Sequence, residues 1–106
     1  MDNEKPVYLL VQLSVEDLEL FVNDYVPGVI ANHQRHGVEI LVGAQEVEVI
    51  EGDYDQTFTV VLKFPSAEVQ KAWYDDPEYQ PFKELRQRIT TPGKSTLVLA
   101  PAFEGI

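Results

Sequence analysis

Hydrophobic and polar positions along the chain alternate between two periods, and each switch marks an element. Val7 to Leu13 (VYLLVQL) is short and rich in β-formers, a first strand. Ser14 is expected to cap the next helix, with Asp17 three residues on in the manner of a capping box. Leu18, Phe21, Val22, Tyr25, Val26, Val29, Ile30 and His33 then recur at spacings of three and four, an amphipathic stripe. Pro27 inside that stripe predicts a kink or break near Tyr25, because proline lacks the amide and crowds the preceding turn. Gly37 is placed to end the helix. Residues 38–42 (VEILV) read as a second strand, and the alternation of residues 46–51 (EVEVIE) predicts a strand with one wet face. Residues 57–64 (TFTVVLKF) are the third principal strand, expected to form a hairpin with the arm before it.

The stretch from Phe64 to Arg86 carries the only tryptophan and two proline-marked breaks. Pro65 ends the strand and Ser66 stands where an N-cap belongs. Val69, Ala72 and Trp73 share one helical face. Asp76-Pro77 interrupts that helix and is expected to restart it, with Asp76 as cap and Pro77 at the first helical position. Tyr79, Phe82, Leu85, Arg86 and Ile89 continue as a second stripe. After the turn at residues 91–94, residues 95–100 (STLVLA) are the last strand.

The order is βαββαβ, the ferredoxin-like arrangement of the α+β class, with an antiparallel sheet and both helical regions on one face. Strand positions of one parity (Val7, Leu9, Val11, Leu13, Phe58, Val60, Leu62, Phe64, Leu97, Leu99) are uniformly apolar and belong under the helices. The other parity has Tyr8, Leu10, Gln12, Thr59, Val61, Lys63, Thr96, Val98 and Ala100, too apolar to face water comfortably. A homodimer built sheet against sheet follows as the expectation, against a monomer with a tolerated semi-polar face.

Length and charge narrow the partners. The 106 residues suit a single domain, residues 1–106, with one core. A formal net charge of −10 repels phosphate backbones and anionic membrane surfaces, so neither nucleic acid nor membrane is an expected partner. No apolar run has the length of a transmembrane helix, and the polar start MDNEKP does not read as a signal peptide, so the expected location is the cytoplasm. Cysteine is absent, which removes disulfides and thiolate chemistry.

Three segments, EVIEGD at 48–53, VVLKFPSAE closing the third strand, and KAWYDDPEYQPFKELR at 71–86, resemble a domain-of-unknown-function family, number 1330. The likeness runs in order over nearly the whole chain. It implies the dimeric α/β-barrel superfamily, in which two ferredoxin-like sheets face each other in a homodimer. Relatives in that superfamily include cofactor-free monooxygenases, isomerases and haem-degrading enzymes, and fold does not choose among them. HQRHGVE at 33–39 departs from the family's usual Y-G-G step.

Candidates for chemistry are few. His33 lies on the apolar stripe as a satisfied core histidine or a general base. His33 and His36 share a helical face, but no third ligand is evident, so no metal is expected. Glu51, beside Gly52, is either a solvated strand end or a carboxylate of raised pKa able to abstract a proton. Tyr25, Trp73 and Tyr79 form plain core or wall an apolar ligand cavity, and Arg86 pairs with an acidic side chain or with a ligand carboxylate. No phosphate-cradling loop, dinucleotide fingerprint or nucleophile elbow is present, and no cofactor is expected. Two functions compete. One is a binder or enzyme acting on a small organic ligand by proton transfer or cofactor-free oxygen chemistry. The other is a non-catalytic dimeric accessory or regulatory protein with a packed interior.

Overall fold

A computed structural model describes residues 5–104; most of the polar start and the last two residues of the tail lie outside them. The elements are β1 (Val7–Leu13), α1 (Leu18–Leu20), a π-helical turn (Phe21–Tyr25), α2 (Val26–His36), β2 (Glu39–Ala44), β3 (Phe58–Phe64), α3 (Ala67–Asp75), α4 (Gln80–Arg88) and β4 (Thr96–Pro101). The four strands form one sheet in the order β2-β3-β1-β4, antiparallel throughout. That is the ferredoxin-like α+β topology expected from the sequence.

Register bears out the strand parity, but Leu99 on the edge strand β4 is not covered by the helices and stays 40% exposed. Leu9 pairs with Leu62 and Leu99, and Val11 with Val60 and Leu97, so one face collects the apolar set. Leu9, Leu13, Leu62 and Phe64 are buried there with Phe21, Tyr25, Trp73 and Tyr79 of the helical layer. On the other face Leu10 pairs with Val61 and Val98, and Val61 with Val42. These four side chains make an apolar row across all four strands, and Leu10, Val42 and Val98 are 39%, 41% and 52% exposed.

Several local expectations are corrected. Residues 46–51 form no strand; β3 already has β1 on one side and β2 on the other, so the alternating segment has no free β3 edge to join. The preceding strand that pairs with β3 is β2 at Glu39–Ala44, joined to it through a long connection and not a tight hairpin. Ser14 is not the first helix cap: its amide donates to Ser95 Oγ, and Asp17 Oδ1 accepts from the Leu20 amide instead. The disturbance expected near Tyr25 is present as the π turn: the backbone stays helical through Tyr25 and Val26, and the widened turn ahead of Pro27 accommodates its missing amide and its ring without ending the helix. The second helix restarts at Gln80, because Asp76 Oδ1 takes the Glu78 amide and holds residues 77–79 in a turn.

Other caps stand as read. Gly37 ends α2 in the left-handed region at φ 66°, and Ser66 Oγ accepts from the Val69 amide. Gly28 has a packing role: a Cβ there would overlap the Phe82 ring, so its absence lets α2 and α4 meet closely.

Candidate functional site

Between the helical layer and the sheet lies a cavity of about 190 Å³. Its floor is the apolar parity of the sheet, including Val11, Leu13, Val60, Leu62 and Leu97. Its roof comes from the π turn and α2 (Phe21, Tyr25, Val29, His33), from Trp73 of α3, from Tyr79 and from Arg86 of α4. Exposed Ile40 and Gly43 border it at the edge strand. A register shift between Ile40 and Val42 turns Ile40 toward the cavity side while Val42 joins the open face.

Five of the six residues singled out from sequence, Tyr25, His33, Trp73, Tyr79 and Arg86, line this one space. Glu51 does not. It sits in the exposed connection between β2 and β3, beside Val49, Ile50 and Asp53.

Trp73 is 2% exposed and its indole N–H donates to His33 Nδ1 at 3.0 Å, with the two rings stacked at 16°. An indole nitrogen only donates, so Nδ1 is the acceptor and the neutral imidazole carries its proton on Nε2. Burial lowers the His33 pKa to about 4, which keeps that ring neutral at pH 7. Asn32, wholly buried, bonds the Trp73 carbonyl through Nδ2 and receives Arg35 Nη2 on Oδ1. It fixes the backbone that carries the indole. The sequence signal for it is its position one residue before His33, beside the apolar stripe, where residue type alone does not tell a buried anchor from a solvated asparagine.

Tyr25 and Tyr79 are buried and their hydroxyls share a hydrogen bond of 2.6 Å. Burial, then the neighbouring Tyr79 phenol, raises the Tyr25 pKa well above the usual tyrosine value. Arg86 is 4% exposed and its Nε has no hydrogen-bond partner among the described residues. Burial by itself disfavours the guanidinium charge, but the phenol oxygens of Tyr25 and Tyr79 beside it offset that cost and the Arg86 pKa is raised.

His36 turns away from His33 and meets Asp76 Oδ2 at 2.7 Å, where Arg35 Nε also arrives at 3.2 Å. The His36 bond, the Glu78 amide and Arg35 together hold the Asp76 pKa down at about 2. This cluster clamps α2 to the turn after α3, outside the cavity. Among the described residues no group of three or more His, Cys, Asp or Glu side chains is placed to hold a metal ion.

A model of the domain of unknown function DUF1330 matches residues 6–100. No curated protein matches the chain. Among solved structures, a protein of unknown function from Rhodopseudomonas palustris superposes with a TM-score of 0.80 at 17% identity, covering 98% of this chain and 87% of that one. SnoaB, a cofactor-independent oxygenase from Streptomyces nogalater, gives 0.64 at 13% identity, covering 96% and 97%. A dimeric ferredoxin-like protein of unknown function from Thermobifida fusca gives 0.56 at 14% identity, covering 96% and 95%. At such identities the likeness establishes the fold.

Proposed function

The chain belongs to the DUF1330 family, whose activity is undefined, and from that premise we propose that it binds or transforms a small organic ligand in the cavity between sheet and helices, working as a homodimer. The observation that carries this reading is the convergence of Tyr25, His33, Trp73, Tyr79 and Arg86 on one largely apolar space. A protein that served only as a dimeric scaffold would be expected to fill that space with aliphatic side chains. Polar donors instead stand at its wall: the Nε2–H of His33, the Tyr25 and Tyr79 phenols, and the Arg86 guanidinium.

These groups suit proton transfer or cofactor-free oxygen chemistry, in which an electron-rich substrate itself supplies the electrons and the protein stabilises the developing oxyanion. His33 meets the ligand as a donor; a role as general base at Nδ1 requires its bond to Trp73 to open. The binding set is therefore Tyr25, His33, Trp73, Tyr79 and Arg86, with Glu51 outside it. The same topology in a cofactor-independent oxygenase supports the reading by analogy of fold.

Dimerisation is supported by the apolar row Val42, Val61, Leu10 and Val98 on the face without helices, and by a structural neighbour described as dimeric. Titration of small aromatic and dicarbonyl compounds, followed by NMR of methyl groups, tests the cavity. Shifts at Val11, Val29 and Leu62 support it, and a broad panel that moves none of them overturns it.

A further inference from the structure

We infer that this cavity is selective for small organic acids, taking a single-ring molecule whose carboxylate docks on the Arg86 guanidinium. The inference rests on the reading of the cavity as a ligand site and adds the chemical class of its occupant.

Arg86 is the reason. It is 4% exposed, its Nε is unbonded among the described residues, and none of the ion pairs formed by those residues includes it. A buried cation without a counter-ion is costly, and folds keep such charges paired or bind an anion to them. The polar groups beside it are the Tyr25 and Tyr79 phenols, which hydrogen-bond each other and reach its guanidinium but leave Nε without a partner. Tyr25 holds its proton far above neutral pH, so it brings no negative charge to the guanidinium. The missing charge is then the ligand's, and the planar fork of arginine fits a carboxylate through two parallel bonds.

Shape sets the rest of the molecule. Leu13, Val29, Leu62 and Leu97 wall the space with hydrocarbon, and Trp73 offers a ring face. About 190 Å³ slightly exceeds the roughly 150 Å³ of a dry apolar cavity known to hold benzene. One ring with one carboxylate fits. The net charge of −10 opposes an approaching anion, but salt confines that repulsion to about 8 Å at physiological ionic strength.

Arg86 also borders a shallower hollow with Thr90 and Gly93, so the test must tell the two apart. Benzoate and its neutral isostere benzamide are titrated into the full chain by calorimetry, with NMR of the Trp73 indole and the Val29 methyls. Benzoate is expected to bind at least about tenfold more tightly than benzamide and to shift the Trp73 and Val29 signals. Arg86→Met should reduce benzoate to the level of benzamide, and Arg86→Lys should recover part of the difference. If Arg86→Met does not fold, the benzoate-to-benzamide ratio on the unmodified protein decides. Equal affinity for the two probes, or shifts confined to Thr90 and Gly93, overturns the acid selectivity and leaves the cavity reading standing. If neither probe binds but neutral aromatic compounds do, the selectivity falls alone; if no compound enters, both fall together.

Discussion

Gly28 faces the Phe82 ring so closely that a single methyl would collide with it. Alanine gains about 1 kcal/mol of helix propensity, while overpacking costs about 1–3 kcal/mol. Phe82 is only half-buried and yields in part, so Gly28→Ala is expected to destabilise by about 1 kcal/mol, read as a lower urea midpoint at unchanged slope. His33 sets a different trend. Its pKa falls from 6.5 in the unfolded chain to about 4 when folded. The unfolded state therefore binds the proton first, and stability that is full above pH 6.5 declines as pH drops toward 4, by about 3 kcal/mol. Asp76, held at about 2 against an ordinary 3.8, adds a separate loss only below about pH 4. Equilibrium unfolding across pH should show the first decline vanish in His33→Gln and the second persist. Helical spacing made the aromatic wall legible in the sequence, since Tyr25, His33, Trp73 and Tyr79 all fall on apolar stripes. The bonds between those stripes were not legible, because Trp73 to His33 and Tyr25 to Tyr79 join different helical segments whose approach is set by packing.

At the level of elements, Asn32 couples α2 to α3 by holding the Trp73 carbonyl at 2.9 Å. Asn32→Leu leaves that buried carbonyl without its partner and should cost about 1–3 kcal/mol. The Trp73 resonances should broaden as the helix end loosens. Helices and strand faces were readable because burial repeats every two or 3.6 residues. Caps and pairings were less so. Ser14 looked like an N-cap by type, yet the chain after β1 stays extended long enough for Val15 to bridge Thr90, and the cap passes to Asp17. Residues 46–51 alternate as a strand does, but alternation records side-chain order and not whether a neighbouring edge is free.

Across the whole molecule, the row of Leu10, Val42, Val61 and Val98 on the face without helices is the surface expected to meet a second copy. Val98→Lys places a charge in that row and should yield a single-copy species in sedimentation at micromolar concentration, with the fold retained by circular dichroism. The charge of −10 makes each copy repel the other, so association should strengthen as salt is raised from low levels. Dimers insensitive to Val98→Lys would place the contact elsewhere. Among the described residues no helix is long and apolar enough to cross a membrane.

The solitary indole, stacked on His33 and Tyr79 at the wall of the void, gives the protein a built-in optical gauge. Its emission comes from one place only, so a guest entering the space should alter colour and intensity without any added dye. Acid that protonates the imidazole should dim the same signal, so guest entry is read well above pH 4, where His33 is neutral.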